Sequence, residues 1–331
     1  MAKKMKATCK SHPDIAFIKY WGKADPKTRI PQNNSISMGL SNLYSVCTIE
    51  FGPSFNQDTI EFLNEKIVKE EELQRIIMVL DRVRKLAKTN LRAKVVTKNS
   101  FPKGAGIASS GSGLSAVTMA ACWALRLKLS RIELSKLARL ASGTACRRII
   151  DGFVEWHKGT NSNNSYSVQL FPPDYWQIAD IVVIVAETMK KVRSTKGHSL
   201  ADTSPFQKVR LKNIPAKIKA IKVAMKKKDF TVFGQILESE ALNFHTIALT
   251  SQPPILYWEG TTMEIMKRVQ EWRDQGLESY FTIDAGPTVH IICQPKDVQR
   301  LKKRLKTISG IQRLSVNYPS IGARVINQHL F

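Results

Sequence analysis

The chain has 331 residues, 43% of them apolar and 24% charged, and its 51 Lys and Arg against 27 Asp and Glu give a net charge of +24. That length allows one large or two ordinary domains with a proper core, at ordinary globular composition. Three classes are not expected on these grounds. The longest apolar runs, such as IVVIVA (181–186), are too short to cross a bilayer, the basic start MAKKMKATCK has no apolar run after it to make a secretory signal, and Cys9, Cys47, Cys122, Cys146 and Cys293 are too scattered for a zinc or disulfide framework. Reduced thiols and a cytoplasmic location are the expectation.

In chain order, KATCKSHPDIAFIKY (6–20) reads as a strand entering a turn, and YSVCTIEFG (44–52) as a strand rich in β-branched and aromatic residues. EEELQRIIMVLDRVRKLA (70–87) predicts an amphipathic helix with acids in its first turn and bases in its last, as the helix dipole favours. RAKVVTKN (92–99) is a short strand, and a Gly/Ser stretch then runs into a buried helix over 110–127. SRIELSKLARLAS (130–142) is a helix whose Ser130 and Glu133 form a capping box. GFVEWHKG and NSYSVQLF pair around the Asn-rich turn 160–164. A buried strand, ADIVVIVAET (179–188), is followed by helices over 203–228, 229–244 and 260–275. ESYFTIDAGPTVHIICQ (278–294) gives two strands around DAGP, before a helix over 295–307 and a last strand. The reading is an α+β protein of two intimately packed lobes, divided near 175–180.

The positive charge admits three partners: nucleic acid, an anionic membrane surface, or an anionic small substrate. Much of it lies in KIKAIKVAMKKK (217–228) and KDVQRLKKRLK (296–306). In the second, Val298, Leu301 and Leu305 fall at helical spacing, so the cations form a solvated face. No RNP-type motif, zinc finger or basic tail is present. The bulk charge is compatible with an electrostatic funnel for a phosphorylated substrate.

The stretch SFPKGAGIASSGSGLS (100–115) suggests an anion site. A helix start exposes unpaired N–H groups, and glycines let backbone amides close on phosphate oxygens. Gly104 and Gly106 supply the bend, while Ser109 and Ser110 present hydroxyls to a phosphate or to Mg²⁺. The spacing is not that of a P-loop or a dinucleotide fingerprint. A loop closed by a Ser/Thr helix cap competes, and the loop alone leaves the two open.

Residues 102–110, PKGAGIASS, resemble the phosphate loop of the GHMP small-molecule kinases. IAFIKYWGK (15–23), RIPQNNSIS (29–37), ASGTACRRIIDGFVEW (141–156), VRSTKGH (192–198), NFHTIALTSQPPILYW (243–258) and TIDAGPTV (282–289) occur in the same order in the mevalonate diphosphate decarboxylases. The resemblance spans about residues 10–330 and is nearest a bacterial branch that includes phosphomevalonate decarboxylases. It implies a two-lobed GHMP kinase fold, with a kinase-type lobe over 1–178 and a ferredoxin-like lobe over 179–331. It further implies ATP and Mg²⁺ as cofactors and a 5-phosphorylated mevalonate as substrate. ATP would phosphorylate the tertiary C3 hydroxyl, and the C3 phosphate would leave as CO₂ is lost.

The same resemblance makes Asp284 the catalytic carboxylate, base or orienting group for C3–OH, with Lys19 beside it and Arg147 gripping the substrate carboxylate through its fork. Lys23 is expected at the 5-phosphate tail, with Ser194 and Thr195, and Lys196 adding charge. Ser142 and Thr144 are expected to contact substrate, with helix capping as the competing role. Tyr20 and Trp21 read as core packing, Tyr20 also as a substrate donor. Pro102, Gly104, Gly106, Ala108, Ser109 and Ser110 would cradle the nucleotide, bordered by Asn99 and Ser100; no metal ligand is assigned. None of the six histidines is given a catalytic role. No specific nucleic acid and no membrane is expected as a partner, and a homodimer is compatible with the reading.

The sequence departs from the family pattern at Asp14 for asparagine, Arg148 for a small serine and Thr288 for asparagine. An anion at 14 is unfavourable near a polyanionic substrate unless Lys19 or Lys23 pairs with it. A 5-diphosphate is the favoured substrate, the 5-monophosphate next. A C3 kinase without decarboxylation and a nucleic-acid-binding protein on the same fold are the rivals.

Overall fold

The computed structural model describes residues 5–64, 70–101, 109–185 and 192–331. The strands before the first helix are β1 (Met5–Ser11), β2 (Asp14–Ile18), β3 (Lys23–Asp25), β4 (Ile30–Pro31), β5 (Ser35–Gly39), β6 (Ser45–Gly52) and β7 (Thr59–Phe62). They are followed by α1 (Glu70–Ala87), β8 (Arg92–Asn99), α2 (Ser109–Ala124), α3 (Arg131–Ala141), the four-residue α4 (Ala145–Arg148), β9 (Phe153–His157) and β10 (Tyr166–Phe171). The second half contains β11 (Ala179–Ile184), α5 (Ser194–Leu200), α6 (Gln207–Lys227), α7 (Phe230–Leu249), α8 (Gly260–Asp274), β12 (Ser279–Ile283), β13 (Val289–Cys293), α9 (Val298–Leu305), β14 (Arg313–Asn317) and β15 (Arg324–Ile326).

Three sheets carry the fold. The first runs β15-β1-β6-β8-β7 and packs one face on α1, α2 and α3, where Ile49, Val79, Val83, Val95, Val117 and Ala138 are buried together. The second runs β10-β9-β5-β2, and the third β12-β13-β11-β14. The third sheet has the strand–helix–strand–strand–helix–strand order of a ferredoxin-like unit. β11 is buried at all six positions because both its faces are covered. Ile181 and Val183 turn to α8 and α9, while Val182 and Ile184 turn to a core shared with Ile15, Phe17 and Ile36 of the second sheet. That shared core welds the two halves. β15 also returns to pair with β1, so the last strand belongs to the first sheet.

Helix α1 and strand β8 have the bounds expected from sequence, and Ser130 caps α3 with Glu133 answering it, as the capping box requires. Four helices differ. The one expected over 295–307 is a 3₁₀ turn, Pro295–Asp297, followed by α9, which ends at Leu305. The buried helix expected over 110–127 ends at Ala124, beyond which Arg126 takes a positive φ of 57°. The helix expected from 203 begins at Gln207 after a 3₁₀ turn, and α7 continues through NFHTIAL to Leu249, since nothing there breaks it.

Candidate active site

Lys19 follows β2 directly, and its backbone is held from two sides. Asn33 Nδ2 and Arg210 Nη2 each donate to its carbonyl, at 2.9 Å. Arg210 is itself fixed by buried Glu240, at 2.5 Å. The Lys19 ammonium donates to Asp284 Oδ1 at 2.7 Å and to the Ala16 carbonyl at 2.7 Å. These use two of its three donors and leave one for a ligand. Burial, only partly offset by Asp284, draws the ammonium below its ordinary value. Asp284 stands at the C-terminal end of β12 in the turn to β13, its side chain one-fifth exposed at 20%. His245 of α7 lies against this turn, and burial beside Lys19 pushes it down to about 3, so it is neutral.

Arg147, on α4, is 1% exposed. Its Nε donates to Asp14 Oδ2 at 2.6 Å and its Nη1 to Ser35 Oγ at 2.8 Å. Arg148 lies 3.3 Å from the same Asp14 oxygen and donates to Ser37 Oγ at 3.2 Å. Burial alone would raise the Asp14 carboxyl, but the two guanidiniums outweigh it and hold that group below the usual carboxylate range. Arg148, shut away from water and beside a second guanidinium, is pushed down to about 10. The anion at Asp14 is therefore answered by Arg147 and Arg148, not by Lys19 or Lys23. Asp14 opens β2 behind the cavity wall, where α4 brings the two arginines, and two of the three departures from the family pattern touch each other.

Lys19, Arg147 and Asp284 share one cavity with Tyr20, Ser110, Thr144 and Ser194. Thr144 begins α4 without a side-chain capping bond, so its hydroxyl is not spent there. Ser142 is the C-cap of α3, and its Oγ lies 3.4 Å from both Thr144 Oγ1 and Ser110 Oγ, linking the start of α2 to the cavity. The Tyr20 hydroxyl is buried with no hydrogen-bond partner among the described residues. Its ring packs on Trp156 at 4.7 Å, and a Cβ on Gly143 would lie 2.7 Å from that ring, which explains the glycine.

Lys23 and Thr195 lie outside this lining, in a cationic rim. Arg75 of α1 donates to Thr195 Oγ1 at 3.0 Å and pairs with Glu71, while Arg193 reaches Glu71 at 3.0 Å and Glu72 at 3.6 Å. Lys23 is half-buried, and burial with Arg29 and Arg75 nearby pushes it down to about 8. Asn99 and Ser100 tie down the end of β8: Asn99 Oδ1 accepts from Ser45 Oγ at 2.6 Å and Ser100 Oγ from the Tyr44 N–H at 2.9 Å. Pro102, Gly104, Gly106 and Ala108 lie outside the described residues, and of Ser109 only its place at the start of α2 is described.

Arg75, Arg193, Arg29, Ser35 and Arg210 were not singled out by the sequence reading. Ser35, Arg29 and Arg193 stood inside recognised motifs with no role assigned, whereas Arg75 and Arg210 carry no local signal. His198, given no catalytic role, lines the cavity, its ring tilted against Tyr20 at 4.1 Å and Trp21 at 4.5 Å between centroids, with its Nδ1 accepting the Gly22 N–H at 3.1 Å. That acceptor role places the neutral ring's proton on Nε2.

An acid, an ammonium and a guanidinium around one cavity, at the start of a helix, suit phosphoryl transfer to a carboxylate-bearing alcohol, and the comparisons agree. Residues 11–167 match the family model of the diphosphomevalonate decarboxylase-like N-terminal domain, and residues 180–321 that of the mevalonate 5-diphosphate decarboxylase C-terminal domain. The diphosphomevalonate decarboxylase of Candida albicans is 33% identical over 296 residues, 84% of this chain and 81% of its own length. The phosphomevalonate decarboxylase of Haloferax volcanii is 30% identical over 301 residues, 90% of this chain and 91% of its own. The crystal structure of mevalonate diphosphate decarboxylase from Staphylococcus aureus superposes with a TM-score of 0.92 at 35% identity, covering 98% of this chain and 99% of that one. A structure described as MDDEF in complex with MVAPP, AMPPCP and magnesium has a TM-score of 0.91 at 33% identity, over 98% of this chain and all of that one. With both lobes matched and the acid, ammonium and guanidinium gathered as that reaction needs, the chain belongs to the diphosphomevalonate decarboxylase family.

Proposed function

We propose that this protein converts mevalonate 5-diphosphate to isopentenyl diphosphate with ATP, in isoprenoid biosynthesis. The observation that carries this is the 2.7 Å contact between Lys19 Nζ and Asp284 Oδ1, in the cavity that Arg147 also lines. A tertiary alcohol is crowded and weakly nucleophilic, so the site must position it, take its proton and answer developing charge. Asp284 accepts or orients the proton of the C3 hydroxyl. Lys19 holds that carboxylate through the 2.7 Å contact and offers its remaining donor to the oxygen as charge grows on it. Arg147 holds the C1 carboxylate. When the C3–O bond of the phosphorylated intermediate breaks, the electrons of the C1–C2 bond form the C2–C3 double bond, releasing CO₂ and phosphate.

The described residues fit a nucleotide: Ser110 and the N-terminal end of α2 face the cavity, as an anion requires. ATP, when bound with Mg²⁺, supplies the phosphoryl group. We assign its phosphates to the stretch Pro102–Ser110. No group of three or more His, Cys, Asp or Glu that would hold a metal occurs among the described residues; phosphate oxygens and serine hydroxyls would hold the ion.

Lys23, Arg29, Arg75 and Arg193 outnumber Glu71 and Glu72 in the rim next to Ser194 and Thr195, which favours a diphosphate tail over a monophosphate. The same reading divides the chain at 178/179, with β15 crossing back to the first lobe. Five free, buried cysteines suit a reducing cytoplasm, and among the described residues no helix is long and apolar enough to cross a membrane. A homodimer is compatible with this reading. The test is incubation with ATP, Mg²⁺ and each of mevalonate, its 5-phosphate and its 5-diphosphate, measuring ADP and CO₂ together. Equal ADP and CO₂ from the diphosphate is expected. Turnover of the monophosphate alone would move the substrate to that of the Haloferax relative, ADP without CO₂ would leave only a kinase, and no turnover of any of the three would sink the reading.

A further inference from the structure

Arg147 is an awkward clamp for a carboxylate that must depart as CO₂. A full, desolvated guanidinium charge would hold the substrate carboxylate tightly in the ground state. That charge is lost as the C1–C2 bond breaks, so an interaction stronger in the ground state than in the transition state raises the barrier. The structure answers with a buried carboxylate behind the clamp. Asp14 is 1% exposed and its Oδ2 lies 2.6 Å from Arg147 Nε and 3.3 Å from Arg148 Nη2. Arg148 is also 1% exposed, so one anion is shared between two cations, all three shut away from water. Asp14 and Ser35 take two of the five N–H donors of Arg147, and the guanidinium still lines the cavity.

We propose that Asp14 is a positioning residue that sets the strength of the carboxylate clamp, and that Arg148 tunes it by taking part of the Asp14 charge. This rests on the reading of Arg147 as the group that holds the leaving carboxylate. The net charge of the trio is one positive. Removing the Asp14 charge raises it to two and tightens the grip. Removing Arg148 lets Asp14 neutralise Arg147 fully and loosens it. Removing both restores one positive charge on Arg147. A merely structural role for the trio predicts damage of one sign from each change. Charge sharing predicts opposite signs.

The experiment uses Asp14→Asn, Arg148→Ser and the double variant of the full chain. Steady-state kinetics follow the substrate that the unaltered protein turns over, and calorimetry follows binding of mevalonate 5-diphosphate without nucleotide. Asp14→Asn is expected to bind the diphosphate about fivefold more tightly, with KM lowered and kcat reduced about tenfold, the pattern of a strengthened ground state. Arg148→Ser is expected to bind about fivefold more weakly, and the double variant to return to within about twofold of the unaltered protein. Shifts of the same sign in the two single variants, or a double variant in which their losses multiply, would overturn the proposal. If Asp14→Asn does not fold, the comparison of Arg148→Ser with the double variant decides: recovered affinity in the double supports the sharing, and equal weakness in both refutes it. Failure of the functional reading shows separately, as an unaltered protein that neither turns over any of the three mevalonates nor binds the diphosphate in calorimetry, whereas same-sign shifts on a diphosphate that does bind refute the charge sharing alone.

Discussion

Lys19 and Asp284 stand 265 residues apart in sequence and meet at 2.7 Å, one at the end of a strand of the second sheet, the other at the end of a strand of the third. The contact joins the two halves of the chain and also forms the reacting end of the cavity. Its two roles separate by mutation. Asp284→Ala removes the acid and strands a buried ammonium, and breaking a buried pair in this way costs about 3–5 kcal/mol; the 20% exposure of Asp284 puts this case at or below the low end. The double change Lys19→Met/Asp284→Ala removes both charges and recovers much of that stability. Turnover falls about a thousandfold or more in both variants, within the range for a positioned acid–base group, while ATP binding is retained. Denaturant unfolding, nucleotide titration and CO₂ release measure the three quantities. Normal turnover by Asp284→Ala would remove this residue from the mechanism.

Arg147→Lys tests the shape of the clamp at constant charge. The guanidinium reaches Asp14 through Nε and Ser35 through Nη1 while still facing the cavity. An ammonium is a point charge and cannot make a forked contact to a carboxylate while keeping both anchors. kcat/KM is expected to fall about 100-fold or more, with Tm changed little because Asp14 keeps a cation on either side. Unimpaired kcat/KM would refute the clamp.

Much of this was legible in the sequence, and the part that was not has a common cause. Helix α1 announced itself by acids at Glu70–Glu72 and bases at Arg84 and Lys85, and α3 by the Ser130–Glu133 box, because capping and dipole signals are local. Lys19, Arg147 and Asp284 were found through the motifs that contain them, and Asp284 sits just after β12, in the turn that DAGP was expected to make between two strands. The four residues of α4 are too few to show a period, and β15 carries no mark of the strand it will pair with. The partners of Asp14 were not legible for the same reason: nothing near Asp14 in sequence shows that α4 packs behind β2. Arg75 escaped notice because it is one basic residue among 51, Arg193 stood in VRSTKGH with no role assigned, and only the fold brings them to Glu71 and Thr195.

The rim predicts a pH dependence. Lys23 is half-buried and pushed down to about 8, by burial first and then by Arg29 and Arg75. A lysine is charged below its pKa, so its attraction for the anionic tail of the substrate is full below pH 8 and fades as pH rises through it. For the diphosphate, kcat/KM should fall on a one-proton limb near pH 8, and Lys23→Arg should move that limb to higher pH, because arginine keeps its charge. A limb left unmoved by Lys23→Arg would assign the titration elsewhere.

Removing rim cations should discriminate between tails. Arg75→Ala and Arg193→Ala delete charge near Thr195 without touching Lys19, Asp284 or Arg147. Each should raise KM for mevalonate 5-diphosphate about tenfold and leave kcat within about threefold, the signature of lost uniform binding. KM for the 5-monophosphate should rise less. Equal losses on the two substrates would place the distal phosphate away from this rim and weaken the case for the diphosphate.

The net charge of +24 leaves the nucleic-acid reading to be met by measurement. The structure spreads the excess over solvated faces. Lys208, Lys212, Lys219, Lys226, Lys227 and Lys228 are exposed along and just past α6, and α9 buries Val298, Leu301 and Leu305 while Arg300, Lys303 and Lys306 face water. Such a surface attracts any polyanion through counterion release and offers nothing that reads a base. Affinity for random-sequence duplex DNA should fall roughly 100-fold between 50 and 200 mM salt, the slope expected for a few phosphate contacts. KM for the diphosphate should change far less, because the rim is partly buried and its partners are within contact distance, where screening is weaker. Tight DNA binding that survives 200 mM salt would require a recognition surface these helix faces do not supply, and would reopen that reading against the cavity.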